Sequence, residues 1–333
     1  MKRFARLAGC ALALAAPAHA DTQDSSAEIE VPRTLSLLQQ RDIQLTRIGW
    51  RLATANAPYC AAAHPQIGLL LQDAQTYRKP DEIRAKHGAK GDIWAQAVAP
   101  GSPAHEAGLT VDSELVGFGR VEIARDMPPT DPVWLRLPEL YAALDAVAAQ
   151  GPFELHWRTR GGEVQRTALA GVPACPSRFE VLSRGDGAAA DGARVIFGRD
   201  FAAFGYPEDE LAAAVAHELA HNLLGHPSAL KARGRQRSEV RLTERDADRM
   251  MPWLLANAGY DPHAAARFMR KWGPRYDGGL FRRRTHDGWD ERVDHIEAEI
   301  ALVEARMAES GAADWSRHFV RMADSMLEGD EGA

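Results

Sequence analysis

The chain has 333 residues, of which 26% are charged and 45% hydrophobic, with a formal net charge of −6 and three cysteines. An acidic balance is the wrong sign for neutralising phosphates, so nucleic acid is excluded as an expected partner. The sequence carries no internal repeats, and after its first twenty residues no apolar run approaches membrane-spanning length.

Residues 1–20 begin with Lys2, Arg3 and Arg6 and continue as a short apolar run ending in Ala18-His19-Ala20. A basic start, a short apolar core and small residues at a cut site describe a secretory signal peptide. Its removal takes away three basic residues and no acidic one, moving the net charge from −6 to −9. The expected compartment is therefore the periplasm, with no membrane span. The Leu7–Cys10 stretch, LAGC, resembles a lipoprotein cleavage box, but the apolar core follows Cys10 instead of preceding it. Lipid anchoring at Cys10 ranks second to cleavage.

Residues 21–63 are predicted to be one helix that packs on the last domain, with helical spacing at Leu37, Leu38, Ile43, Leu45, Ile48 and Leu52. Residues 64–173 form a β-rich module. Within it Val98–Leu109 reads VAPGSPAHEAGL, followed by a strand. Ile67–Gln72 is a predicted strand, Pro138–Gln150 an amphipathic helix, and FELHWRTRGGEVQRTALAG a hairpin turning at Gly161-Gly162. The Gly-Ser-Pro-Ala segment resembles the core of bacterial PDZ domains. That resemblance implies a groove between the Ile67–Gln72 strand and the later helix that receives C-terminal peptide tails. Two cysteines survive cleavage, Cys60 and Cys175, at the entry and exit of the module. An oxidising compartment favours a bond between them. It would close a loop of about 115 residues, worth about 4–5 kcal/mol on the chain-entropy account.

Residues 174–333 are predicted to be mostly helical. Ala193–Phe197 reads as a strand, which analogy with zinc peptidases places at a sheet edge over the helix that follows, and 185–193, GDGAAADGA, reads as a loop. Pro207 and the acidic run Glu208-Asp209-Glu210 mark a helix start. That helix carries AVAHELAHNLLGH, with His217 and His221 four residues apart and therefore on one face. Two imidazoles so placed can grip one metal ion, and Glu218 can reach a water on it, which is the H-E-x-x-H motif of zinc peptidases. A catalytic zinc takes three protein ligands. Glu244, in LTERDADRMM, can be the third, and Asp248, four residues on, can accept a hydrogen bond from the far nitrogen of a ligating His. The metzincin pattern fails, because Gly225 and His226 stand four and five residues after His221. Helices are also predicted over 261–272, 290–309 and 313–327. The basic cluster Lys231, Arg233, Arg235 and Arg237 is either a solvated loop or a cover for the site, and His64, His87 and His263 are expected to be surface or structural.

HELAHNLLGH, the TERDADR segment and RRRTHDGWDERV together resemble the gluzincin family that includes the HtpX and CAAX prenyl proteases and their soluble periplasmic relatives. The resemblance covers roughly 175–305. It implies an α+β fold: a mostly helical zincin-type metallopeptidase domain with a small edge sheet, here joined to the β-rich PDZ-like domain. It also implies one zinc ion on His217, His221 and Glu244, with Glu218 as catalytic base, and Arg292 in the supporting segment. His286 would steady the oxyanion or close the site as an extra ligand, while His226 is not a ligand. Asp287 departs from that segment's pattern, where a Pro is usual. The expected function is peptide-bond hydrolysis on protein substrates, in envelope protein quality control. Two alternatives stay open. One is a binding or chaperone-like protein whose zinc, closed by His286, is structural; the other is a latent peptidase that His286 silences until a partner engages the module.

Overall fold

The computed structural model describes residues 25–159, 162–276 and 287–323; the leader with Cys10, and His286, lie outside the described residues. The fold is mixed α+β and is built around two hydrophobic cores. The chain opens with α1 (Ser25–Ala55), which lies inside the predicted 21–63 segment and buries Leu45, Ile48 and Leu52 completely. After β1 (His64–Gln66) come β2 (Leu69–Asp73), α2 (Pro80–His87), β3 (Ile93–Val98), α3 (Pro103–Glu106), β4 (Glu114–Phe118) and β5 (Val121–Glu122). Then follow α4 (Ile123–Asp126), α5 (Arg136–Ala148), β6 (Phe153–Arg158) and β7 (Gln165–Leu169). Their sheet runs β2-β3-β4-β6-β7, antiparallel throughout, with β5 on β4. The predicted hairpin is β6–β7, with Phe153 opposite Leu169; Phe153, Leu155 and Trp157 alternate into the first core.

Gly68 explains why the Gly-Ser-Pro-Ala segment is needed. At φ +75° it lies so near Ser102 that a Cβ would meet the Ser102 Cβ at 2.3 Å. Ser102 is fully buried and caps α3 by accepting from His105 N at 3.3 Å. The Ile67 and Gly68 carbonyls in turn accept from Ala104 N and Ala99 N. One close approach thus fixes the loop before β2.

β8 (Val172–Ala174) pairs with β1, His64 opposite Ala174, so the chain leaves this unit beside its entrance. Cys60 and Cys175 flank that pairing and are both buried. They are brought together as expected, with the two thiols sharing a hydrogen bond. That hydrogen bond and burial push the Cys175 thiol up, while at Cys60 the hydrogen bond outweighs burial and draws the thiol down.

A second, three-stranded sheet follows: β9 (Arg178–Leu182), β10 (Ala188–Ala190) and β11 (Arg194–Gly198), in the order β10-β11-β9. This corrects two expectations. The predicted edge strand, now β11, lies in the middle, parallel to β9 and antiparallel to β10. The edge is β10, from the segment read as a loop. Asp191 turns the chain back by accepting from Ala193 N at 3.0 Å and Arg194 N at 2.7 Å, which lays Ala188–Ala190 against Val195–Phe197.

Among the described residues six helices follow: α6 (Glu208–Leu223), α7 (His226–Arg233), α8 (Arg237–Asn257), α9 (Ala264–Tyr276), α10 (Trp289–Ser310) and α11 (Trp315–His318). α6 is buried on every side from Leu211 to His217, mostly by alanines, as befits a helix at the centre of a domain. The helix predicted over 313–327 is, among the described residues, only the short α11. Met322 N and Ala323 N donate to the buried Asp246 carboxylate at 2.8 and 3.0 Å, so these amides are not spent on helical bonds.

α1 joins the two sheets through Asp42, which is 5% exposed. One carboxylate oxygen accepts from Gln96 Nε2 of β3 at 2.9 Å, the other from Val181 N of β9 at 2.8 Å. Burial raises its pKa from 3.8 to about 7. Between those values the folded chain holds a proton that the unfolded chain releases, so stability falls as pH rises through that window. We expect a loss on the order of 3–4 kcal/mol between pH 4 and 8 from this group. Asp42→Asn, which keeps an acceptor for Val181 and a donor for a flipped Gln96 amide, should remove it. Denaturant midpoints of both proteins across that range test this; parallel curves would contradict it.

Candidate metal centre

α6 presents His217 and His221 one turn apart, and the neighbouring α8 presents Glu244 and Asp248 at the same spacing. The three donors of the predicted ligand set meet. His217 Nε2 and His221 Nε2 are 3.2 Å apart, and they lie 3.4 and 3.5 Å from the two Glu244 carboxylate oxygens. Donors around a tetrahedral ion with bonds of roughly 2.0–2.2 Å would be roughly 3.3–3.6 Å apart. The three residues are therefore spaced as a metal-ligating triad.

The far nitrogen of His217, Nδ1, lies 3.1 Å from Asp248 Oδ1. Asp248 is itself gripped by both arms of Arg292 on α10, at 2.6 and 2.7 Å. The predicted supporting pair is thus in place and buried. Burial pushes the His217 imidazole down, but the carboxylates of Asp248 and Glu244 outweigh it and bring the pKa up to about 10. Burial wins at His221, which falls to about 4 with Glu244 opposing. Two imidazoles this close share one positive charge, the one that a cation would displace. Burial also works against the Asp248 carboxylate, yet Arg292 and His217 hold it below the usual range.

His226 was set aside as a non-ligand just past the helix end. It is not one of the triad, but it is 1% exposed and its Nδ1 lies 3.0 Å from His221 Nδ1. Gly225, at φ +70°, ends α6 and folds the chain back over the ligand. That Gly-His step was the only sequence signal for this contact.

Glu218 lines a cleft of about 270 Å³ together with the triad. The β10 alanines form one wall, Phe268 and Trp272 of α9 another, and Arg235 stands at the rim. Sequence reasoning missed these walls, because periodicity marks Phe268 and Trp272 as ordinary core. Of the basic cluster, Lys231, Arg235 and Arg237 are exposed and Arg233 pairs with Glu239 at 2.7 Å, so the cluster is largely solvated with one member at the cleft. His64, His87 and His263 pair with Asp145, Asp112 and Glu304, away from the triad.

Asp287, Glu291 and His295 make a second group of metal-ligating residues at the start of α10. Here the Asp287 carboxylate is held by Arg245, with Arg241 Nε 3.6 Å away, and Arg245 also reaches Glu291 at 3.2 Å. With two guanidiniums in the group, it is an ion-pair cluster that joins α10 to α8. The departure at Asp287 thus ties the segment after His286 to the residue next to Glu244. Among the described residues, no helix is long and apolar enough to cross a membrane. A scan against protein-family models and a search of curated proteins both return no match.

Asp248 touches no metal in this arrangement, yet it should govern affinity. We expect Asp248→Ala to weaken divalent-cation binding about 10–100-fold by freeing the His217 ring. It should also cost about 3–5 kcal/mol, because Arg292 is left buried without its partner. Replacing Asp248 and Arg292 together by apolar residues should restore much of the stability and none of the affinity. Chelator competition and denaturant unfolding on the three proteins separate the two effects.

Proposed function

We propose that this chain is an exported zinc-dependent endopeptidase of the HtpX and CAAX prenyl protease type, acting on protein or peptide substrates in the periplasm. The observation that carries this reading is the spacing of the three donor atoms beside Glu218 in one cleft. Two imidazoles and one carboxylate are a donor set suited to zinc, and three protein ligands leave a position for chemistry. When bound there, zinc polarises the scissile carbonyl and lowers the pKa of a water toward neutrality.

The protein's own groups supply the rest. Glu218 takes the proton of the attacking water as its oxygen bonds to the carbonyl carbon, then hands it to the amine as the carbon–nitrogen bond breaks. The unpaired edge of β10 can add an extended substrate as a further strand, holding its backbone across the cleft. In this reading residues 174–333 are a zincin-type domain.

Residues 64–173 act as a PDZ-like unit that binds substrate tails or gates the site. β2 is the edge strand of its sheet and lies beside α5, which supports a groove there. The groove is short in this chain, since Tyr141 of α5 already accepts from Leu71 N at 2.6 Å. A cavity of about 220 Å³ remains at the Gly68–Leu69 end, shared with α1 and β9. It suits the tip of a tail and not a long extended segment.

The test is to purify the chain without its leader, measure zinc, and assay casein cleavage with and without Glu218→Gln. We expect close to one zinc per chain in both proteins and a loss of cleavage of about 10²–10⁴-fold in the variant. Equal cleavage by both would end the peptidase reading.

A further inference from the structure

Among the described residues, the buried His226 Nε2 and Glu239 Oε2, next to the metal centre, have no hydrogen-bond partner. His226 is 1% exposed and Glu239 8%, so neither atom is served by bulk water. An orphaned polar group of this kind is costly to bury, and two facing one place call for a common cause. Both residues line the same small cavity, about 20 Å³, together with Ala229, Leu230, Leu242, Thr243, Arg321 and Ala323. That volume holds about one water.

The tautomers point the same way. With a metal on Nε2 of His221, its proton sits on Nδ1, and Nδ1 lies 3.0 Å from His226 Nδ1. His226 Nδ1 must therefore accept, and its own proton is on Nε2, the orphaned atom. A water in the cavity would receive that N–H and donate to Glu239 Oε2. The other Glu239 oxygen already accepts from Arg233 Nε at 2.7 Å.

We propose that the cavity holds one ordered water completing a hydrogen-bonded line, Arg233–Glu239–water–His226–His221, and that His226 and Glu239 are positioning residues for the metal ligand. The line fixes the His221 ring and tautomer, as Asp248 and Arg292 do for His217, and it anchors the α7–α8 loop that carries Arg235 to the cleft. It rests on a metal at His217, His221 and Glu244, and not on the reaction performed there.

The experiment compares zinc affinity, by chelator competition, for the wild type, His226→Asn, His226→Leu and Glu239→Gln, with side-chain 15N spectra of the wild type. Asn keeps an acceptor for His221 but does not reach the cavity; Leu removes both contacts. We expect affinity to fall about 10–100-fold for Leu and less for Asn and for Glu239→Gln. The wild-type spectrum should show His226 protonated at Nε2. A folded His226→Leu protein with wild-type affinity, or a wild-type His226 protonated at Nδ1, would overturn the proposal. Should the Leu variant not fold, the Glu239→Gln affinity and the wild-type tautomer decide. Failure of the peptidase reading looks different: casein is left intact while zinc binds and the His226 effect persists.

Discussion

Asp248 is a carboxylate with almost no access to water, and a buried charge of that kind has to be matched. Arg292 supplies the match from α10 and His217 the other contact from α6, while Asp248 itself belongs to α8. Three helices far apart in sequence are thereby held in one register. Removing any member leaves a charge stranded in the interior, so the arrangement specifies helix packing as much as it orients an imidazole. The close spacing of the three donors follows from it, since α8 cannot slide along α6 without breaking the Asp248 contacts.

The surrounding pairs reinforce this frame more weakly. At the start of α6, Glu208 pairs with Arg47 of α1, Asp209 with Arg267 of α9, and Glu210 with Lys271 of α9. These groups are partly exposed, and each pair contributes little by itself. Deeper down, Glu299 of α10 accepts from Arg249 and Trp253 of α8, both at 2.9 Å. The same α8 that carries Glu244 is thus pinned to α10 at two levels, and a loose ligand helix is avoided by side chains outside the cleft.

The candidate ligands were legible in the sequence because helical geometry converts a four-residue spacing into a shared face without reference to the rest of the chain. His217, His221, Glu244 and Asp248 all belong to that case, as do the buried positions of α1, whereas the β6–β7 hairpin was legible from two-residue alternation about a turn. The features that escaped depend on contacts between distant segments or on a turn. β10 is three alanines with no β-branched residue, so local propensity gives it no strand signal; the Asp191 turn creates it. The segment after α11 looked helical, yet a buried acid on α8 captures its amides. Cys60 and Cys175 were correctly brought together by the meeting of the module's ends, whereas their bonding is a matter of redox chemistry that spacing does not encode.

α1 lies against both sheets, with Leu45, Ile48 and Leu52 in the second core and Thr46, Trp50 and Ala53 on the cavity shared with β2 and α5. A single rod serving two bodies leaves neither with a complete surface of its own. Melting of that rod strips an apolar side from the helical half and a polar brace from the strand-rich half at once. Heat or urea should then meet one cooperative block, and neither half is a natural candidate for expression in isolation.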